Sequence, residues 1–174
     1  MRLTLLGLLL FLVTAAAAQD WQHPAVPRYG DVVAVPDPSF APSPRRAHRV
    51  AFDLAGREDK DSVNVSLSYL ARLVNLYALA GVPADSLDVV GVLHGGATTL
   101  ALSPAAAEAR DLALADDLEL LRRLAAAGVR FVVCAQSAAG AGIDLDGELN
   151  PDVAVGLSAM TTLLELRARG YVSP

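Results

Sequence analysis

From residue 49 onward, short β-branched runs alternate with longer stretches whose apolar positions recur three and four apart. The run RVAFDL at 49–54 predicts a strand. A helix should follow, opened by Asp61 or Ser62, carrying Val63, Leu67, Leu70, Val74 and Tyr77 on one line and closing at Gly81 and Pro83. A second apolar line, Val65, Tyr69, Leu73 and Leu76, runs along the same helix. Two apolar faces need two packing partners, here the sheet and a neighbouring subunit. The run LDVVGVL at 87–93 is largely apolar and too short for a helix, so it predicts a strand covered on both sides. Ser103 and Pro104 supply a cap and a first helical residue; Leu114, Leu118, Leu121 and Ala125 then carry a stripe to Gly128, with Asp116, Asp117 and Glu119 facing water. Residues 129–134 predict a third strand, residues 136–142 the start of a short helix, and residues 153–155 a fourth strand. Residues 158–169 predict a last helix, stopped by Gly170.

Strand and helix in this alternation define an α/β fold, a small doubly wound parallel sheet with helices on both faces. No period of repeat or solenoid length recurs. In open parallel sheets, ligands bind beyond the carboxyl ends of the strands, where the strand order reverses. That rule turns a list of polar residues into a place. Asp53 closes the first strand, His94 the second, Cys134, Gln136 and Ser137 follow the third, and Ser158 follows the fourth.

Cys134 ends a buried strand just where a helix begins, and unpaired helix N–H groups favour the thiolate, the reactive form. It is either a nucleophile or sulfur carrier, or a packed thiol of the kind common in cores. His94, with an ordinary pKa near neutrality, can orient or deprotonate a substrate or serve as a hydrogen-bonded rim histidine. Gly95 and Gly96 offer backbone freedom and an anion nest. With no lysine beside them and no G-x-x-x-x-G-K pattern, a nucleotide site is excluded.

Composition narrows the picture further. The chain has 174 residues, 53% hydrophobic, with a mean hydropathy of +0.41, which suits one domain with its own core and argues against disorder. The net charge of -5 and the absence of a basic run leave no footprint for a phosphate backbone, so nucleic acid is not an expected partner. Arg2, the apolar run at 3–13 and the small residues Ala16, Ala17 and Ala18 read as a signal peptide at 1–18, cleaved before Gln19 and directing export to the periplasm. The apolar stretch is shorter than the roughly 20 residues that span a bilayer, and no stable membrane span should remain after cleavage. Residues 19–47 hold six of the ten prolines (Pro24, Pro27, Pro36, Pro38, Pro42 and Pro44) and read as a proline-rich arm or linker, with Trp21, Tyr29 and Phe40 as anchors if it docks. Residues 48–174 form the α/β domain.

A single cysteine allows no internal disulfide. Asp144, Asp146 and Glu148 alternate around Gly147, but the glycine sits too early for a calcium-binding EF-hand loop, and a solvated acidic turn is expected. His23 and His48 lack a second ligand at useful spacing. Neither a metal nor a cofactor is expected.

The stretch GVRFVVCAQSAA at 128–139, with Gly142 and Ile143 behind it, resembles the DsrE/DsrF-like family of small α/β sulfur-relay proteins. So do LHGGAT at 93–98 and LSAMT at 157–161, running on to Gly170 and Tyr171. The resemblance spans essentially residues 49–172. It implies a flavodoxin-like parallel sheet, homo- or hetero-oligomers, and a cysteine that carries a persulfide between donor and acceptor proteins. Cys134 lies where that cysteine would lie. The family's relay members work in the cytoplasm, whereas this chain carries an export signal and a proline-rich arm. The expectation is an exported sulfur-relay protein, a single domain forming homo-oligomers, in which Cys134 takes sulfane sulfur as a persulfide from a donor protein or small sulfur compound and passes it to a partner; His94, Gln136, Ser137 and backbone N–H groups frame the pocket. The alternative is a non-catalytic oligomeric module that binds a small ligand or protein, with Cys134 structural.

Overall fold

The computed structural model describes residues 20–56, 58–60 and 63–174; the leader expected at 1–18, and Asp61 and Ser62, lie outside the described residues. In chain order the elements are β1 (His48–Leu54), β2 (Asp59–Lys60), β3 (Val63–Asn64), α1 (Val65–Leu79), β4 (Leu87–Leu93), α2 (Pro104–Ala109), α3 (Ala115–Ala126), β5 (Arg130–Cys134), α4 (Ala135–Gly140), β6 (Val153–Gly156) and α5 (Ala159–Ala168). A 3-10 segment, Gly95–Ala101, follows β4.

Four strands form one parallel sheet in the order β1-β4-β5-β6. Alternate residues of each strand face opposite ways, and the apolar content divides accordingly. Val50, Leu54, Val89, Leu93, Phe131 and Val133 pack with Leu67, Leu70 and Val74 of α1 and Leu120, Leu121 and Leu124 of α3. Ala51, Val90, Val92 and Cys134 face the other way, against Ala159 and Leu166 of α5 and Tyr171. After α5 the chain reaches the free side of β1, where the Ala51 N–H donates to Val172 O at 2.9 Å and the Val172 N–H to Arg49 O at 3.0 Å. The four strands follow chain order with no reversal among them, so the topology marks the whole carboxyl rim rather than one crevice in it.

Two helices differ from the sequence expectation. The cap of α1 is Asn64, whose Oδ1 accepts the N–H groups of Ser66 and Leu67. Val63 precedes the helix, in a short antiparallel pair with Lys60. The stretch expected as one helix from Ser103 to Gly128 is two. Ser103 caps α2 as expected, but the chain then turns at Asp111, which has φ +54, before α3 begins. Arg110 holds this break by ion-pairing with Glu148 at 2.7 Å and donating to Gly142 O. Glu148 also accepts the Asp144 N–H, so the acidic turn is closed by an arginine.

Asp117, expected to face water, is buried instead, and its Oδ1 accepts the Asn64 N–H at 2.6 Å. This bond joins the start of α3 to the start of α1. Desolvation pushes the Asp117 carboxyl above its ordinary range; the Asn64 amide opposes that shift, and Asp59 and Asp116 reinforce it.

The proline-rich stretch is an arm laid over α1. Val26 and Val32 are buried, and Gln22 pairs with Val32 in a single antiparallel bridge. Asn75, with no exposed surface, accepts the N–H groups of Ala25 and Val26 at 2.9 and 2.8 Å and donates to the carbonyls of Tyr29 and Gly30 at 2.8 and 2.9 Å. All of its side-chain capacity goes to the arm. Gly30, at φ +67, lies so close to α1 that a Cβ there would meet Arg72 N at 2.3 Å. Trp21 and Phe40 are not the anchors: they are 53% and 96% exposed. Part of the second face of α1, expected to meet another subunit, is therefore covered by the same chain.

Replacing Asn75 by alanine removes four hydrogen bonds at one buried point and should cost about 2–3 kcal/mol, with amide exchange at Ala25 and Val26 accelerated ahead of the sheet. Unchanged protection at those amides would contradict the latch. For Asp117, the folded chain holds its proton to higher pH than the unfolded chain, so its contribution to stability falls as pH rises above about 4. Asp117→Asn keeps an acceptor for the Asn64 N–H without the charge. Its urea midpoint should therefore gain on the wild type between about pH 4 and pH 7; a difference independent of pH would contradict the assignment.

Candidate functional site

The carboxyl ends of β1, β4, β5 and β6 carry the polar residues picked out by the sequence. At β1 and β4, His94 Nε2 meets Asp53 Oδ1 at 2.5 Å, with the histidine side chain 26% and the aspartate 51% exposed. A carboxylate only accepts, so Nε2 carries a hydrogen and the Asp53 contact fixes the orientation of the ring. The His94 N–H is held by Leu54 O at 3.0 Å, which fixes where the ring starts.

Gly95 and Gly96 do not form a nest. The Gly96 N–H donates to Ala55 O at 2.9 Å and the Gly95 N–H to Ser137 Oγ at 3.4 Å, so both amides that would face an anion are engaged within the chain. Gly95 sits at φ +53, where its missing Cβ would approach Ala55 O at 3.1 Å. The turn is thus a tight connection that brings the end of β4 against the start of α4.

Cys134 lies at the centre of this rim and has two structural jobs. It is the last residue of β5, paired in register with Gly156 of β6, and it is the N-cap of α4. Its Sγ accepts the Ser137 N–H at 3.4 Å. Burial pushes the thiol pKa up, but the Ser137 hydroxyl and the N–H groups of Ser137, Ala159 and Gln136 outweigh it, leaving the thiol below its ordinary value. The Ala159 amide belongs to α5, so the starts of two helices both favour the anion. Only 4% of the residue is exposed.

Ser158 caps α5: its Oγ accepts the Thr161 N–H at 3.1 Å. It acts on the sulfur through placement, since the next residue is Ala159. Gln136 Nε2 donates to Leu157 O at 3.2 Å and ties α4 to the loop after β6. The structure therefore groups Asp53 with His94, and Gly95 with Ser137 and Cys134, while Gln136 and Ser158 hold the neighbouring loop. Sequence reasoning missed the Ala159 amide. The signal for it was present, because a cap at Ser158 places a helix start directly after the strand beside β5. Among the described residues no group of three or more His, Cys, Asp or Glu side chains is arranged to hold a metal ion, and no helix is long and apolar enough to cross a membrane.

A parallel α/β domain with one thiol capping a helix at the end of a central strand defines the class of protein. The model of the DsrE/DsrF-like family matches residues 50–172, and the chain belongs to that family, which includes sulfur-relay proteins. The arm lies outside the matched region. A solved structure of a protein of unknown function, MTH1491 from Methanobacterium thermoautotrophicum, is similar at 21% identity and a TM-score of 0.49, covering 73% of this chain and 97% of the other. No curated protein matches the chain.

Ultraviolet titration of the thiolate should give Cys134 a midpoint below the roughly 8.5 of an ordinary cysteine. Ser137→Ala should move that midpoint upward, since it removes one of the groups that favour the anion. A wild-type midpoint at or above the ordinary value would contradict the electrostatics described.

Proposed function

We propose that the protein is an exported sulfur carrier in which Cys134 accepts sulfane sulfur as a persulfide and passes it to a partner. The observation that carries this reading is the set of N–H groups from two helices and the Ser137 hydroxyl around Sγ, which favour the thiolate against the effect of burial. Family membership supplies the chemical context.

The transfer needs no redox cofactor. The Cys134 thiolate attacks the outer sulfur of a donor persulfide; the new Sγ–S bond forms as the donor's S–S bond breaks, and the electron pair leaves with the donor sulfur, which takes up a proton as a thiol. The terminal sulfur of the Cys134 persulfide is then attacked by the acceptor's thiolate, and Cys134 leaves as the thiolate that its surroundings stabilise. His94, oriented by Asp53, is the group at the rim suited to hold or deliver the proton. With 4% of Cys134 exposed, a donor reaches the sulfur only when the rim opens, and the loop at Leu157 and Ser158 is the adjoining segment.

A protein donor or acceptor has a surface to meet there. Leu157, Met160 and Leu164 are 73%, 75% and 64% exposed, an apolar strip on α5 and the loop before it. The same strip suits a second copy of the chain, which would place the rim at a subunit boundary. Export rests on the leader read at 1–18.

The low exposure of Cys134 favours one other reading, a non-catalytic module that binds a small ligand or protein while the thiol only caps α4. Intact-mass analysis after treatment with a polysulfide separates them. The carrier gains ~32 Da per added sulfur on Cys134, removable by a thiol acceptor and absent from Cys134→Ser. A native protein that takes up no sulfur on Cys134 is the capping module instead.

A further inference from the structure

Along the outer side of α1, residues 33–42 of the arm and the helix border an open apolar groove of about 900 Å³. Its walls include Val35 and Phe40 from the arm, Phe52 from β1, and Tyr69, Leu73 and Leu76 from α1; Pro174 also borders it. Tyr69, Leu73 and Leu76 belong to the second apolar line of α1, and Tyr69 and Leu76 remain 56% and 44% exposed. The size falls within the range of small-molecule sites, and apolar area left open between two packed segments is where such a molecule gains most.

The groove has one charged side chain among its described lining residues, Arg72. Its Nε donates to Asp31 O at 3.1 Å, and its guanidinium lies over the Tyr69 ring at 5.8 Å. The Asp31 carboxylate meets His23 at 2.6 Å and makes no ion pair with Arg72 among the described residues. Among the described residues the terminal nitrogens of Arg72 have no carboxylate partner. A long apolar trough with an unneutralised guanidinium on its wall is complementary to a long apolar chain with an anionic head.

We propose that this groove binds a fatty acid, with the acyl chain along Leu73, Leu76 and Phe40 and the carboxylate on Arg72. The site uses the arm, which lies outside the region matched by the family, and it is independent of the chemistry at Cys134.

Calorimetric titration of the full protein with laurate below its micellar concentration tests this, with dodecyltrimethylammonium as the chain of opposite charge. Laurate should saturate at one molecule per chain, and the ammonium should bind at least about tenfold more weakly. Arg72→Gln should erase that difference, Leu76→Asp should abolish laurate binding with the helical circular dichroism retained, and Cys134→Ser should change nothing. The proposal is overturned if laurate shows no saturable binding, or if the ammonium binds as tightly. It is also overturned if sedimentation shows a dimer that binds no laurate and that Leu76→Asp dissociates, since the groove is then a contact between copies.

Discussion

The site depends on one constraint: Cys134 must end a strand and begin a helix at the same time. Its backbone is paired with β6 through the register of Cys134 with Gly156, while its side chain caps α4 by accepting the Ser137 N–H. A serine or asparagine is the usual residue for such a cap, because oxygen accepts a hydrogen bond better than a thiol does. A cap made by sulfur becomes effective when the sulfur is anionic, so the structural role and the chemical role draw on the same electrostatics. The start of α5, set by Ser158, adds the favourable influence of the Ala159 N–H.

The rest of the fold positions that junction. The two faces of the sheet are covered unequally: α1, α3 and the arm lie over one, and α5 with the C-terminal segment over the other. Cys134 points to the α5 face, where the apolar cluster is smaller and where the exposed Leu157 and Met160 begin. At the opposite end of the strands, Arg130 donates to Asp88 and to the Tyr171 hydroxyl, which itself donates to Asp88. This cluster fastens the chain's last turn to the sheet and leaves the carboxyl rim as the end with polar groups to spare. A side-chain cluster at one end and a thiol covered by the smaller apolar cluster at the other suit a site that opens locally.

Much of this was legible in the sequence. The run at 87–93 coincides with β4, because a strand buried on both faces has to be apolar throughout. Ser103, Ser158 and Gly170 marked helix ends, because caps and stops are local chemistry. The rim grouping also followed from strand ends alone. What escaped depends on partners far away in the chain. Asp117 looks like a wet residue in a helical pattern, and only its bond to Asn64, 53 positions away, explains its burial. Asn75 sits between two apolar lines and looked unremarkable until the arm's carbonyls and amides were placed around it. The break at Asp111 was hidden by an alanine-rich stretch that suits a continuous helix, and the ion pair of Arg110 with Glu148 is what the pattern could not show.

The central claim is that Cys134 is a thiol whose surroundings favour the anion and which is reached by local opening of the rim, rather than a side chain sealed into the core. Its rate of alkylation by iodoacetamide, followed across urea concentrations below the unfolding transition, tests this most directly. The account predicts a rate that is nearly independent of urea, as expected for a local opening that exposes little new surface. A rate that climbs with the same urea dependence as global unfolding would mean that the sulfur is reached only when the domain unfolds, and the account would fail.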